Sequence, residues 1–135
     1  MLRACLSVLF VGIGLLSCLN DAVAQTIDLT DPASTVVLED GDDFPDIMGT
    51  CSLTSASVTI KVSRTYTHNG STITDARQYV QTTGPDTGQF GGPVPGTPPF
   101  KAKGPGTWKV EVWITGDPTK KDSHQGTTNG PMGGA

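Results

Sequence analysis

Hydrophobic residues alternate with polar ones in several short segments of the chain, a period of two that is typical of β-strands. In the clearest segment, Trp108, Val110, Val112 and Ile114 are apolar and the residues between them are mostly polar. A strand with this pattern turns one apolar face toward the core. Residues 47–53 alternate in the same way. The pattern therefore predicts strands that each bury one face.

A β-hairpin is predicted around Asn69-Gly70, because this dipeptide favours the two-residue type I′ turn and β-prone runs flank it on both sides. With that turn, the facing residues on one side of the hairpin are His68 and Ser71, Tyr66 and Ile73, Arg64 and Asp75, and Ile60 and Tyr79. The other side is polar and is predicted to face water. Arg77 faces the apolar Val62, and we expect its side chain to extend toward Asp75 or a bulge to displace it.

Residues 84–107 are rich in Gly and Pro. Proline lacks the N–H that a central strand donates, so this segment is predicted to hold only irregular loops and short edge strands. Phe90 and Phe100 are its only large apolar side chains, and we expect both to fill the core. Residues 117–135 carry almost no apolar side chain and are predicted to be a disordered tail.

The composition supports one small all-β domain. The chain has 135 residues, of which 16% are charged, and it contains 17 Gly and 10 Pro. This turn-rich composition fits short strands better than long helices. We place the domain at residues 35–116, after a leader at residues 25–34. The net charge is −4 and the cations are dispersed, so nucleic acid is not an expected partner.

The first 24 residues have the pattern of a signal peptide. Arg3 precedes an apolar run at residues 4–16, which is shorter than the about 20 residues of a permanent membrane anchor. Two processing routes remain open. Ala22-Val23-Ala24 fits cleavage before Gln25, whereas residues 15–18, Leu-Leu-Ser-Cys, resemble a lipobox in which Cys18 becomes lipidated. Either route predicts an exported protein, in the periplasm, outside the cell or at its surface.

Two runs of sequence carry a resemblance to a known type of module. Residues 104–112, Gly-Pro-Gly-Thr-Trp-Lys-Val-Glu-Val, resemble the closing strand of bacterial immunoglobulin-like and fibronectin-III-like modules, and residues 57–62 resemble an inner strand of the same modules. The resemblance implies a two-sheet sandwich of about six or seven short strands. Such modules generally serve as spacers, adhesion units or ligand-binding domains. The cysteine pair of antibody domains is missing, because removal of the signal peptide leaves Cys51 alone, either buried or paired with another chain.

The side chains that could carry chemistry are few. The histidines, His68 beside the predicted turn and His124 in the predicted tail, lack rigid support, so no enzymatic activity is expected. An acidic segment offers oxygen ligands for calcium or forms a solvated turn. Its carboxylates belong to Glu39, Asp40, Asp42, Asp43 and Asp46. Trp113 points away from the face of Trp108, and its indole either binds a sugar or protein partner or is covered by a loop.

These observations favour an exported, non-catalytic immunoglobulin-like module with a structural or interaction role. The alternative is a carbohydrate- or calcium-binding domain that uses Trp113 or the acidic segment. Calcium is the only cofactor that the sequence suggests, and a protein or a glycan is the expected kind of partner.

Overall fold

The computed structural model describes residues 25–131, and every regular secondary-structure element in that range is a β-strand. The strands are β1 (Ile27–Asp31), β2 (Leu38–Glu39), β3 (Ile47–Cys51), β4 (Ser57–His68), β5 (Ser71–Thr82), β6 (Gln89–Gly92), β7 (Gly106–Ile114) and β8 (Asp117–Asn129). The prediction of an all-β chain is confirmed, with more strands than the six or seven expected. No helix capable of crossing a membrane occurs between residues 25 and 131. The signal segment with Cys18, and residues 132–135, lie outside the described residues.

The strands form two sheets. A three-stranded sheet has the order β1-β3-β6, and a five-stranded sheet has the order β2-β8-β7-β4-β5. Every neighbouring pair is antiparallel except β2 and β8, which are parallel. The long strands β4, β5, β7 and β8 all belong to the larger sheet.

Both sheets contribute to one hydrophobic core. The alternation predicted for β7 is confirmed, since Trp108, Val110, Val112 and Ile114 are all buried. They join buried residues of β4 and of the three-stranded sheet in a single cluster. Phe90 and Phe100 are buried in the same cluster, so the prediction that both would fill the core is confirmed.

The predicted hairpin is confirmed in its turn and in its register. Asn69 and Gly70 both have positive φ, 51° and 79°, as a type I′ turn requires. All facing residues follow the predicted register from His68 and Ser71 down the full length of β4 and β5. The prediction for Arg77 is wrong, because no bulge interrupts the pairing. Its guanidinium instead donates to the Pro95 and Pro98 carbonyl oxygens at 2.9 and 3.0 Å.

The structure corrects both predicted boundaries of the domain. The leader at residues 25–34 contains β1, and Ile27 and Leu29 of that strand are buried in the core. The tail predicted to be disordered contains β8, which pairs with β7 almost from end to end. The inward-facing residues of β8 are polar or glycine, so hydrophobic alternation could not reveal the strand. Two of them bond to the β1 segment instead, as Asp122 Oδ2 accepts from the Leu29 N–H at 2.9 Å and His124 Nδ1 lies 2.8 Å from the Pro32 oxygen.

Candidate functional site

Trp113 lies on the outer face of β7, in the middle of the five-stranded sheet. Its cross-strand neighbours are Lys121 on β8 and Thr59 on β4. The indole is half-buried and borders a surface depression of about 290 Å³ whose other lining residues come from β7 and β8. The Gly- and Pro-rich residues 84–107, here called the Pro-rich segment, do not line this depression, and Pro95 and Pro98 of the segment contact Arg77 on the inner face of the sheet. The indole is therefore partly shielded by its neighbours within the sheet and partly open to solvent.

A row of threonines crosses the same outer face. Each of four neighbouring strands contributes one threonine, and each threonine lies directly opposite the next: Thr127 on β8, Thr107 on β7, Thr65 on β4 and Thr74 on β5. The Thr65 and Thr74 hydroxyls are 3.0 Å apart and share a hydrogen bond. Sequence reasoning could pair only the two threonines of the hairpin, because β8 was not predicted. The outer face of the five-stranded sheet thus combines short hydroxyl side chains with longer charged ones, such as Lys109, Glu111 and Lys121 around the depression. Trp113 is its one large aromatic group among the described residues.

The acidic segment does not form a converging set of carboxylates. Four of its five acidic side chains are engaged with separate partners: Glu39 with the Asn129 amide, Asp40 with the Gly104 N–H, Asp42 with the Glu39 N–H, and Asp43 with the Lys101 ammonium. Between residues 25 and 131, no group of three or more Asp, Glu, His or Cys side chains is placed to hold a metal ion. These contacts fasten the segment to β8 and to residues 101–104. Calcium binding here remains a prediction from the sequence.

The remaining candidates for chemistry are dispersed. His68 is exposed beside the hairpin turn, as expected. His124 is not in a tail but on β8, half-buried against Pro32. Cys51 is buried, which agrees with its predicted role as a small core side chain. Its sulfur accepts a hydrogen bond from the Leu53 N–H at 3.5 Å.

A cluster around Arg64 was missed by the sequence analysis, apart from its pairing with Asp75. We call Arg64, Tyr66, Asp75, Arg77 and Phe100 the Arg64 cluster. Arg64 Nε and one terminal nitrogen each lie 3.0 Å from Asp75 Oδ2, and the Tyr66 hydroxyl donates to the same oxygen at 3.2 Å. The guanidinium groups of Arg64 and Arg77 lie 4.8 and 5.2 Å from the Phe100 ring centre. The cluster ties β5 to β4 and to the Pro-rich segment.

The other terminal nitrogen of Arg64 donates to the Lys101 carbonyl oxygen. Phe100 and Lys101 lie far along the chain from Arg64, so no local pattern could reveal their contact. The guanidinium thus satisfies a carboxylate and a backbone oxygen while it stacks on an aromatic ring, which is the use for which its planar shape is suited.

Both tyrosines of the chain lie on the inner side of the hairpin, and their pKa values are raised. Burial raises the pKa of Tyr79 to about 12, with a further contribution from the negative charge of Asp46. Its hydroxyl has no hydrogen-bond partner among the described residues. Burial also raises the pKa of Tyr66, as do the charge of Asp75 and the hydrogen bond to it.

We therefore expect alkaline pH to weaken the fold through these tyrosines. In the unfolded chain a tyrosine loses its proton near pH 10, so the contribution of Tyr79 to stability is complete below about pH 10 and is lost as the pH rises to about 12. Ultraviolet absorbance of tyrosinate, followed together with circular dichroism, measures this. Tyr79→Phe should remove the later ionisation step. Ionisation of both tyrosines near pH 10 in folded protein would contradict the burial of Tyr79.

No protein-family model matches the chain, and no curated protein is significantly similar to it in sequence. The fold and the surfaces described above are therefore the basis on which a function can be argued.

Proposed function

We propose that the protein is an exported, non-catalytic immunoglobulin-like sandwich with a structural or interaction role at the cell surface or in the periplasm. The observation that carries this proposal is the strand order of the two sheets around one core. In variable-type immunoglobulin domains, strands G, F, C and C′ share one sheet, whereas A, B and E share the other. The order β8-β7-β4-β5 corresponds to the first set, and β1-β3-β6 corresponds to the second.

The outer face of the five-stranded sheet supports an interaction role. Four long strands present it, and it carries the hydroxyl groups of the threonine row together with the charged side chains of Lys109, Glu111 and Lys121. Trp113 adds an amphipathic aromatic group, and aromatic side chains are enriched where proteins meet their partners. A face of this kind can contact a protein or a glycan without any catalytic group.

Export is supported by the signal-peptide pattern of residues 1–24 and is tested by the mass of the mature N-terminus. When the full chain is expressed in a bacterium, we expect either a chain that begins at Gln25 or one that begins at a lipidated Cys18. The Cys18→Ser variant discriminates the routes, because it abolishes lipidation and leaves cleavage after Ala24 unaffected. An intact N-terminus in the cytoplasmic fraction would contradict export.

Carbohydrate binding at Trp113 is the second candidate, favoured by the half-exposed indole beside a polar depression. We expect soluble glycans that stack on the indole to quench its fluorescence, while the buried Trp108 is unaffected. Calorimetric binding should be lost in Trp113→Ala. The matched control is Thr107→Ala, on the same strand and face but in another row of the sheet. Unchanged fluorescence across a panel of neutral and acidic glycans would remove this candidate.

A further inference from the structure

The outer edge of β5 is a long strand edge without hydrogen-bond partners. The Thr67 N–H donates to the Pro105 oxygen, and the Thr115 N–H donates to the Ser57 oxygen. The backbone N–H and C=O groups of the odd-numbered residues of β4 therefore point toward β7, and those of its even-numbered residues point toward β5. In β5 the backbone groups that point away from β4, toward the free edge of the sheet, then belong to the even-numbered residues, Thr72, Thr74, Ala76, Gln78, Val80 and Thr82. No described residue bonds to their N–H or C=O groups, and all six are exposed.

The other sheet edges are short or capped. On β6, Gly91 is bonded on both its N–H and its carbonyl oxygen by the side-chain amide of Gln81, at 2.9 and 3.3 Å. Beside it, the Gln89 oxygen accepts from the Gly84 N–H at 2.8 Å. Asp122 caps the Leu29 N–H on β1, and β2 is only 2 residues long. A fold that covers its short edges in this way leaves its 12-residue edge, β5, uncovered.

β5 carries one of the devices that keep edge strands apart, a pair of charged residues that point inward, Asp75 and Arg77. Both charges are engaged within the chain, by Arg64 and by the Pro95 and Pro98 oxygens. The other devices are missing, since β5 contains no proline, no lysine and no bulge. A long edge of this kind is a template for strand pairing with another chain.

We propose that two copies of the protein pair antiparallel along β5, so that their five-stranded sheets join into one continuous sheet across a two-fold axis. This deepens the interaction role proposed above, on which it rests, by naming a second copy of the chain as the partner. An isologous contact of this kind closes on itself and produces a dimer rather than a fibre.

Charge selects the register of this pairing. If Ala76 faces Ala76 of the second copy, Asp75 lies opposite Arg77 of the second copy twice, and Ile73 lies opposite Tyr79. A shift to either adjacent symmetric register places Asp75 opposite Asp75, or Arg77 opposite Arg77, and like charges directly opposite each other are destabilising. On Asp75, Oδ1 is left for this contact, because Arg64 and Tyr66 both bond to Oδ2. On Arg77, Nε is left, because the two terminal nitrogens bond to the Pro95 and Pro98 oxygens.

The first test compares proline and serine at position 76 of the full chain. The Ala76 N–H faces outward, so Ala76→Pro removes a donor that only the second copy uses, whereas Ala76→Ser retains it. In sedimentation equilibrium we expect the wild type and Ala76→Ser to approach twice the monomer mass as concentration rises. Ala76→Pro should raise the dissociation constant about 30-fold, because the symmetric pair loses both of its hydrogen bonds.

The second test is disulfide cross-linking, with Cys5 and Cys18 replaced by serine and Cys51 buried. Directly opposed, hydrogen-bonded residues have Cα atoms about 5.5 Å apart, within the range for a disulfide. We expect Ala76→Cys to form a covalent dimer under mild oxidation, and Thr74→Cys or Gln78→Cys alone to remain monomeric, because each faces the other's position. If Ala76→Pro fails to fold by circular dichroism, this test decides alone.

A wild-type protein of constant monomer mass at all concentrations would overturn the pairing. So would equal cross-linking at positions 74, 76 and 78, which indicates random collision. Neither result affects the proposal of an exported sandwich, which fails separately if the N-terminus is not processed.

Discussion

Replacing Trp108 with alanine is expected to lower the free energy of unfolding by about 4 kcal/mol, enough to unfold a large part of a population of so small a domain. The side chain is 1% exposed and packs edge-on against Phe44, with ring centres 6.2 Å apart. Its Nε1–H also donates to the Val36 oxygen at 3.0 Å, so truncation leaves that acceptor unpaired.

The cavity left by this substitution cannot easily collapse. Across the strand pair, a Cβ built at Gly126 would lie only 2.6 Å from the indole nitrogen, so the backbone of β8 already rests against the ring. Because β8 is held by its pairing with β7, it cannot move inward without loss of that ladder. The lost contacts therefore remain as empty volume, the circumstance in which large-to-small substitutions cost most.

Trp113→Ala is the matched control, since it removes the same side chain from the opposite face of the same strand. We expect it to lower the free energy of unfolding by less than about 1 kcal/mol, because the indole is only half-buried. Urea denaturation followed by circular dichroism compares the two variants without relying on tryptophan fluorescence. Equal losses for both would contradict the assignment of the two faces of β7.

The elements that the sequence analysis predicted well are specified by neighbouring residues. The register of β4 and β5 follows from one dipeptide, Asn69-Gly70, and the inward face of β7 follows from four alternating apolar residues. The strand β3 follows from a similar alternation. In each case the pattern is complete within a single strand or hairpin, so no knowledge of distant contacts is needed.

The elements that were missed depend on contacts between distant segments. β8 has no apolar inner face, because Asp122 and His124 there bond to the β1 segment rather than pack against side chains. β1 does have apolar inner residues, Ile27 and Leu29, but two alternating positions are too few to distinguish a strand from a leader by their period alone. The acidic segment was interpreted as one cluster, yet its carboxylates have partners as far away as Gly104 and Asn129. A sequence pattern identifies these residue types but cannot indicate which distant group each one meets.

These same distant contacts determine which surfaces remain open. Side chains of β5 and β8 cap the edges of the three-stranded sheet, as Gln81 does for Gly91 and Asp122 for Leu29. The capping groups come from the five-stranded sheet, whose own outer strand β5 receives no such cover. The surfaces open to a partner are therefore the outer face of the larger sheet and its β5 edge.

The substitution Arg64→Met should show how strongly β5 is held, and we expect it to lower the free energy of unfolding by about 2–3 kcal/mol. Methionine keeps most of the side-chain volume but removes the bonds to Asp75 and to the Lys101 oxygen, together with the stacking on Phe100. The Arg64 side chain is 17% exposed and Asp75 is 39% exposed. Because water reaches Asp75, the loss stays below that of a fully buried ion pair.

A double-mutant cycle with Asp75→Asn separates the ion pair from the rest of the cluster. Urea denaturation of the two single variants and the double variant should give a coupling energy of about 1 kcal/mol between Arg64 and Asp75, and the remainder of the Arg64 effect reflects Lys101 and Phe100. Arg77→Met is the matched control, since that guanidinium also lies over Phe100 but bonds only to carbonyl oxygens. It should cost about 1 kcal/mol. If Arg77→Met lowered the free energy of unfolding more than Arg64→Met, the contact with the Pro-rich segment would stabilise β5 more than the Arg64–Asp75 pair does, which would contradict this prediction.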